Sequence, residues 1–296
     1  MTSNLYYFNR SPTLAPFVTM NRLSAQEISF FKRQGYLIKK GVLDPELMRR
    51  ARQRKWVGAP DRMKPNDPTT WIGPWRPEEE TSEAEENCKI GYTWKYREPA
   101  NEEWLVRMMA GHPIIVGWAE QLLGTAKFDL PERVRGIYFR LPMGDSAEQP
   151  LVCHCDVGPD SLHETPFARL LKPGIGAVGL IAPIPPQGGA FTVWPGTHKI
   201  IYDLMIRTEG LARNQAYKQQ IIDFNSHHHV EGWGQAGDVL LWHRLLAHTA
   251  GWNRSETLQL REAVLCDYAP REAEEAKISY QDMWEDWSDE VRAASG

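Results

Sequence analysis

The sequence lacks the features that mark membrane proteins and nucleic-acid-binding proteins. No stretch approaches the roughly 20 apolar residues that a membrane-spanning helix needs. The chain has 34 Lys and Arg against 38 Asp and Glu, a formal net charge of −4, so it shows no basic excess of the kind that binds nucleic acid. Hydrophobic residues make up 42% and charged residues 24%, which is typical of a globular protein. We expect neither a membrane nor a nucleic acid as partner.

The N-terminus and the few cysteines favour a cytoplasmic protein. The segment MTSNLYYFNRSPTLAPF has neither a basic start nor an unbroken apolar core, so it does not resemble a secretory signal. Without such a signal, disulfide bonds among Cys88, Cys153, Cys155 and Cys266 are not expected. The pair at 153 and 155 would suit zinc, but no second cysteine pair completes a tetrahedral site. We interpret both as small buried hydrophobic residues.

No internal repeat or low-complexity linker divides the chain, so we predict a single domain over residues 1–296. Its first part, residues 23–124, favours helices. Ser24 with Glu27 forms a capping box for one helix, and Asp44-Pro45 opens a second. Between them YLIKKGVL predicts a strand. Further helices are predicted at 101–123, ending at Gly124, and at 209–222.

Short apolar runs separated by proline and glycine predict strands in residues 133–270. They are VRGIYFRLP, PLVCHCDVG, GIGAVGLIAPI, GGAFTVWPG, GDVLLWH and LREAVLCDYA. Such strands with turn signals between them predict a mainly β fold with flanking helices, a double-stranded β-helix (jelly roll, cupin-like) with an N-terminal helical elaboration. The tail, residues 271–296, is predicted to add at most a helix.

Residues 58–101 show neither helical nor strand periodicity and are rich in proline, tryptophan and glutamate. A loop this long in a compact domain is often a lid or binding loop. Its aromatic residues favour a lid over a solvated surface excursion; they are Trp71, Trp75, Trp94 and Tyr96. The tryptophans of the wider stretch 56–104 suggest a substrate with apolar or ring surface, such as a natural-product intermediate. No basic cluster or phosphate-binding glycine loop favours an acyl-CoA.

Two histidines and one aspartate have the spacing of a metal site. His154 and Asp156 are two residues apart in LVCHCDVG, so on a strand their side chains project from one face while Cys155 points away. His248 follows the apolar run DVLLW, another predicted strand. Two histidines and one carboxylate leave three adjacent positions of a metal open, which is the facial arrangement of non-haem Fe(II) oxygenases. We predict these three residues as ligands of Fe(II).

Other residues compete for the same role. His243 lies five residues before His248, and three consecutive histidines, 227–229, lie in a predicted solvated loop. His198 ends the turn Pro195-Gly196-Thr197-His198, which we interpret as structural. An isolated His-x-Asp is more often a core histidine beside a turn aspartate, and only the downstream partners favour ligation.

Four stretches together resemble the phytanoyl-CoA dioxygenase-like branch of the Fe(II)/2-oxoglutarate oxygenases. They are LSAQEISFFKRQGYLIKKGVLDPELMRR, LVCHCDVG, GGAFTVWPGTHK and AHTAGWNRSETLQLREAVLCDYA. They span residues 23 to about 269 in the family's order. The resemblance implies 2-oxoglutarate and O2 as cosubstrates, release of succinate and CO2, and hydroxylation or another oxidation of an unactivated C–H bond in a small molecule.

The resemblance also implies cosubstrate-binding residues. Arg261, thirteen residues after His248, matches the family's arginine and is expected to pair with the C5 carboxylate of 2-oxoglutarate; Arg254 is the weaker candidate. Relatives often place a serine two residues after this histidine, where this chain has Ala250. Thr192 and Tyr138 are therefore the predicted sources of a hydroxyl.

Three other functions fit these residues less well. Halogenating relatives have a small residue at the position of Asp156, so the aspartate argues against halogenation. A metal-binding cupin-like protein without oxygenase activity, either an isomerase or a 2-oxoglutarate sensor, is the alternative function. A zinc hydrolase fits less well, because no glutamate base accompanies the ligands as in HExxH.

Overall fold

The protein is built around two antiparallel sheets that face each other. The structure, a computed structural model, describes residues 21–125, 127–146, 149–156, 171–208, 210–269 and 282–296. In these residues the larger sheet has seven strands in the order β1-β8-β5-β10-β4-β3-β2, and the smaller has the order β7-β6-β9. The strands are β1 (Tyr36–Lys39), β2 (Asn87–Ile90), β3 (Thr93–Tyr96), β4 (Gly136–Arg140), β5 (Ile175–Leu180), β6 (Phe191–Val193), β7 (Val230–Glu231), β8 (Val239–His243), β9 (His248–Ala250) and β10 (Arg261–Tyr268).

Helices cover the outer faces of both sheets. The α-helices of the described residues are α1 (Ala25–Gln34), α2 (Pro45–Gly58), α3 (Glu103–Met108), α4 (Pro113–Leu123), α5 (Thr197–Arg207), α6 (Gly210–Phe224) and α7 (Asp289–Ala293). The capping box of Ser24 and Glu27 and the cap of Asp44 before Pro45 are as predicted. Among the described helices, none has the length and apolar character that crossing a bilayer requires.

Three apolar clusters hold the layers together. The inner cluster lies between the sheets and takes Leu240 and Trp242 from the larger sheet and Phe191 and Val193 from the smaller. A second cluster packs the outer face of the larger sheet, including Phe139, against the N-terminal helices. The third packs α5 and α6 behind the smaller sheet. Because strand side chains alternate between faces, every second residue of β4, β8 and β10 points into the inter-sheet space.

Two predictions about helices need correction. The single helix predicted at 101–123 is two helices, α3 and α4, with Pro113 at the first position of α4. A proline there lacks the N–H that would continue a preceding helix, and its ring clashes with the previous turn. Helix α5, which begins directly after the turn at Gly196, was not predicted, whereas the helix expected at 209–222 is present as α6.

The segment 58–101 is less of a loop than predicted. Residues 87–96 form a hairpin, β2–β3, which pairs with β4 and extends the larger sheet. Trp75, Trp94 and Tyr96 are 3%, 0% and 0% exposed, so they belong to the core. The hairpin is part of the fold, and the lid remains a prediction only for the rest of the segment. Trp75 and Trp94 therefore give no support to a substrate with apolar or ring surface, whereas Trp56 and Trp71 are partly exposed.

The run LVCHCDVG is not a continuous strand in the described part. His154 makes an isolated antiparallel bridge to His248, with N···O distances of 2.9 and 2.8 Å between the two backbones. Residues 157–158 of the predicted strand lie outside the described residues. The N-terminal segment 1–20 and residues 270–281 of the tail also lie outside them. The helix expected in the tail is present as α7.

Candidate metal centre

His154, Asp156 and His248 converge at the edge of the smaller sheet. One potential ligand atom from each lies within 4.8 Å of the other two. The bridge between His154 and β9 brings the two imidazoles together, with ring centroids 4.5 Å apart. Nε2 of His248 is 3.6 Å from Oδ1 of Asp156. A short, non-local backbone contact thus assembles a cluster whose members are far apart in the sequence.

The ring of His248 is held in one orientation. Its Nδ1 lies 2.8 Å from the carbonyl oxygen of Leu246, which can only accept, so Nδ1 carries a proton and Nε2 is the nitrogen that faces Asp156. Phe191 stacks on the ring at 5.0 Å and Trp242 packs at 5.5 Å. Hydrogen bonding of the second ring nitrogen to a carbonyl is the usual way in which metal-binding histidines are oriented.

Asp156 is ionised and fixed by two donors. The indole Nε1 of Trp242 donates to Oδ2 at 3.0 Å, and Nη2 of Arg135 donates to Oδ1 at 3.1 Å. Burial alone would raise the pKa of Asp156, but His248, Arg135 and the Trp242 hydrogen bond outweigh burial and lower it to about 2. The carboxylate is therefore an anionic oxygen ligand at neutral pH.

His154 is a neutral imidazole on the open side of the cluster. It is the exposed member of the three, whereas His248 is buried. Desolvation of the ring, with repulsion from His248 and Arg135, lowers its pKa to about 4. Metal binding requires a neutral imidazole. Two imidazoles and one carboxylate are donors that suit Fe(II), and the site fits that ion.

Two arginines, the buried Arg261 and the half-buried Arg140, lie beside the centre without a carboxylate. Arg261 on β10 is 2% exposed and stands opposite Arg140 on β4. Neither forms an ion pair with any described residue, and the Nε atom of each is buried without a hydrogen-bond partner. Burial, and then the charge of Arg140, lowers the pKa of Arg261 to about 9; burial lowers that of Arg140 to about 10.

The two predicted hydroxyl donors are placed differently. Tyr138 lies on β4 two residues before Arg140, on the same face, and lines a cavity. Thr192 lies between Phe191 and Val193, whose side chains are in the inner cluster, so its own side chain points to the other face of the smaller sheet. Its hydroxyl donates to the carbonyl of Ala190. The structure brings Tyr138 towards the site and does not bring Thr192 there.

The competing histidines have structural positions. His243 points away from Trp242, is 3% exposed, and stacks on Trp287 at 5.0 Å. His198 is fully buried and its Nε2 lies 3.1 Å from the carbonyl oxygen of Lys32. The loop histidines 227–229 are not in the cluster, although His229 packs against Trp194.

The competing arginine and the cysteines also lie outside the site. Arg254 donates to the carbonyl of Gln149 in an exposed turn. Cys153 and Cys155 are 2% and 3% exposed and pack in the cluster behind the smaller sheet. Burial raises the pKa of both thiols. They are buried, protonated hydrophobic side chains, as predicted, and not zinc ligands.

A cavity of about 460 Å³ opens beside the cluster. It is lined by Arg97, Arg133, Val134, Arg135, Tyr138 and Asp267. Arg135 connects it to the centre, because this side chain bonds both Asp267 and Asp156. Three arginines from two segments, Arg97 from one and Arg133 and Arg135 from the other, meet here, so the absence of a basic cluster in the sequence does not hold for the folded chain.

Sequence reasoning missed Arg135, Arg140 and Trp242. Arg135 and Arg140 lie within one predicted strand and Trp242 lies within another, and nothing in their local sequence separates them from structural residues. Their roles depend on which strands pair and in which register. Arg140 faces Arg261 only because β4 pairs with β10, and Trp242 reaches Asp156 only because β8 lies in the opposite sheet.

The chain resembles solved structures of iron- and 2-oxoglutarate-dependent enzymes. EctD from S. alaskensis with 2-oxoglutarate and 5-hydroxyectoine has 17% identity and a TM-score of 0.53, over 84% of this chain and 76% of that chain. The epimerase SnoN, in complex with Fe3+, alpha ketoglutarate and nogalamycin RO, has 17% identity and a TM-score of 0.50, over 83% and 82%. HygX from Streptomyces hygroscopicus, with nickel and 2-oxoglutarate, has 16% identity and a TM-score of 0.50, over 86% and 89%.

At these identities the likeness establishes the fold, which is the predicted cupin-type jelly roll. No curated protein sequence matches the chain. The family model of phytanoyl-CoA dioxygenase (PhyH) matches residues 31–263, a range that includes the three clustered residues and Arg261. The chain therefore belongs to the phytanoyl-CoA dioxygenase (PhyH) family.

Proposed function

We propose that the protein is a cytoplasmic Fe(II)- and 2-oxoglutarate-dependent dioxygenase. It hydroxylates, or otherwise oxidises, an unactivated C–H bond of a small molecule and releases succinate and CO2. The observation that carries the proposal is the convergence of His154, Asp156 and His248 within 4.8 Å, with donor atoms suited to Fe(II). Family membership supports it, and the adjacent Arg140 and Arg261, which have no carboxylate partner among the described residues, supply a place for a carboxylate.

Each residue has a defined part in the proposed reaction. His248 presents Nε2, His154 a neutral imidazole and Asp156 an anionic oxygen. Bound iron would supply the redox chemistry that couples decarboxylation of 2-oxoglutarate to oxidation of the substrate. Arg261 binds the C5 carboxylate, for which its planar guanidinium is suited. Tyr138 remains the proposed hydroxyl donor to the cosubstrate.

The cavity beside Arg135 is the proposed substrate site. Its volume of about 460 Å³ suits a small molecule, and it connects to the centre through Arg135 and Tyr138. Arg133 at its rim forms no hydrogen bond or ion pair with a described residue. Arg97 and Arg135 are paired with carboxylates, so it is Arg133 that favours a substrate with an anionic group.

We propose hydroxylation as the default reaction type. The solved relatives include an epimerase, SnoN, and a carbocyclase, SnoK, which has 19% identity and a TM-score of 0.50. The fold therefore accommodates outcomes other than hydroxylation, and mass analysis of the product distinguishes them. A gain of one oxygen atom indicates hydroxylation.

The test is succinate formation from 2-oxoglutarate under O2. We expect succinate that requires both added Fe(II) and 2-oxoglutarate, and that increases with members of a panel of small carboxylic acids more than with their methyl esters. Asp156→Ala and His248→Ala should abolish it, since each removes a ligand. His228→Gln, in the exposed loop, is the matched control and should retain it.

Two other outcomes would change the conclusion. Folded wild-type protein that binds Fe(II) and 2-oxoglutarate but forms no succinate, with or without the panel, favours the 2-oxoglutarate sensor. Folded protein that binds no metal contradicts the proposal. A metal that is purely structural would instead leave Asp156→Ala unfolded, which circular dichroism detects.

A further inference from the structure

Arg140 and Arg261 lie side by side in the inter-sheet space. They are register partners on neighbouring antiparallel strands, which places their Cβ atoms about 5 Å apart on one face. The face is the inner one, since Ala263 and Leu265, two and four residues after Arg261, belong to the inner cluster. Two guanidinium groups therefore share one compartment.

The compartment contains cationic groups without anions. Nη1 of Arg261 donates to the carbonyl of Tyr138 at 3.3 Å, and Arg140 donates to the hydroxyl of Thr93 and to the carbonyl of Ala250 at 3.0 Å. These acceptors are neutral, and no carboxylate of the described residues is within ion-pair distance. Buried charges are normally paired, and buried polar atoms normally have partners. Arg140 also packs over the ring of Trp252 at 5.1 Å, yet each of the two guanidinium groups keeps one buried N–H, at Nε, without an acceptor, which indicates a missing anion.

The distance between the two arginines and the metal ligand His248 indicates how long that anion is. Ala250, the acceptor of Arg140, is two residues from His248 on β9, about 7 Å along the strand at the usual rise per residue. A five-carbon diacid that binds a metal at the triad through its oxo-acid end would direct its other carboxylate to this distance. Ala250 has no hydroxyl to offer there, whereas Arg140 offers N–H groups.

Two arginines can bind one carboxylate without competing. A carboxylate has about four lone-pair sites, and a bidentate arginine occupies two of them. We propose that Arg140 and Arg261 together form the binding site for the distal carboxylate of 2-oxoglutarate, in addition to the hydroxyl proposed from Tyr138. The inference rests on the proposed function and adds Arg140 to the cosubstrate-binding residues.

The test compares two cosubstrates in anaerobic protein loaded with Fe(II). 2-Oxoglutarate has the distal carboxylate, and 2-oxopentanoate has a methyl group instead. We expect Arg140→Gln to weaken 2-oxoglutarate binding by about tenfold to a hundredfold, as for a lost charged hydrogen bond, and to change 2-oxopentanoate binding by less than about threefold. Arg140→Lys should recover part of the loss, and Arg254→Gln is the matched control that should bind like wild type.

Thermal stability separates a binding role from a structural one. Removal of one of two neighbouring cations that have no carboxylate partner should leave the Tm of the protein without 2-oxoglutarate unchanged or higher, while the rise in Tm on adding 2-oxoglutarate shrinks. Equal weakening of both acids together with a lower Tm would show that Arg140 is structural and overturn the inference. Unchanged 2-oxoglutarate affinity in Arg140→Gln would overturn it as well. If wild-type protein binds neither acid, the proposed function itself fails, which is a distinguishable result.

Discussion

Single residues around Asp156 determine how the metal ligand is presented. The Trp242 indole crosses Gly176 on β5, where an added Cβ would lie 2.0 Å from the ring, so only glycine leaves room for it. From this position Nε1 reaches Asp156. Groups that orient a metal ligand in this way usually contribute strongly to metal affinity.

We expect Trp242→Phe to weaken Fe(II) binding by about tenfold to a hundredfold, because the carboxylate loses the donor that orients it. Anaerobic metal titration measures the change. Trp233→Phe, at a tryptophan that is 50% exposed, is the control. Wild-type affinity in Trp242→Phe would show that Arg135 alone suffices to orient Asp156.

The site was partly predictable at the residue scale. His154 and Asp156 could be identified because a spacing of two residues on extended backbone is a local property. Arg261 matched a family pattern in the sequence. Arg140 and Arg135 could not be identified, because their importance depends on cross-strand register and on which charges burial leaves unpaired. Thr192 was predicted to reach the site, whereas its side chain points to the other face of the smaller sheet. The composition of β6 does not indicate which of its faces is the inner one.

Among the elements, the β2–β3 hairpin differs most from the sequence-based expectation. Its strands have four residues each, too few for a periodic pattern among prolines and glutamates. The hairpin is stabilised by Trp94, which is fully buried and stacks on Phe139 with centroids 4.4 Å apart. Long-range packing therefore makes strands of a segment whose local sequence predicted a loop, while α1 and α2 followed from local caps.

Trp94→Ala should destabilise the protein by about 3–5 kcal/mol, the usual cost of a large cavity in a core. Denaturant unfolding monitored by circular dichroism gives the free energy of unfolding. A comparison with Trp233→Ala, expected to lie within about 0.5 kcal/mol of wild type, controls for loss of a tryptophan at the surface. A small effect of Trp94→Ala would mean that the hairpin is loosely attached. The predicted lid would then again include the hairpin.

At the scale of the whole molecule, an aromatic cluster joins distant parts of the chain. His243 of β8 packs on His198 of α5, on Trp287 near the C-terminus and on Phe31 of α1. Burial lowers the pKa of His198 to about 3 and that of His243 well below its usual value. The cluster thus requires neutral imidazoles.

This requirement predicts a pH dependence of stability. Histidines in the unfolded chain gain a proton near pH 6.5, whereas these two stay neutral when folded, so the unfolded state binds more protons below that pH. The stability they contribute is present above about pH 6.5 and is lost as the pH falls. As the pH is lowered below about 6.5, the free energy of unfolding of His243→Gln, measured with a chelator present, should fall less steeply than that of wild type. The two slopes should differ by about 1.4 kcal/mol per pH unit. His228→Gln is the control, and an unchanged slope in His243→Gln would contradict the prediction.

The central claim is that one Fe(II) ion and one 2-oxoglutarate molecule bind together at His154, Asp156 and His248, and the most direct measurement is an anaerobic titration of metal-free protein with both. We expect a weak visible charge-transfer band of the iron chelate of 2-oxoglutarate, saturating at one equivalent of iron and absent in His248→Ala. A folded wild-type protein with no such band, or a band that persists in His248→Ala, would contradict the claim.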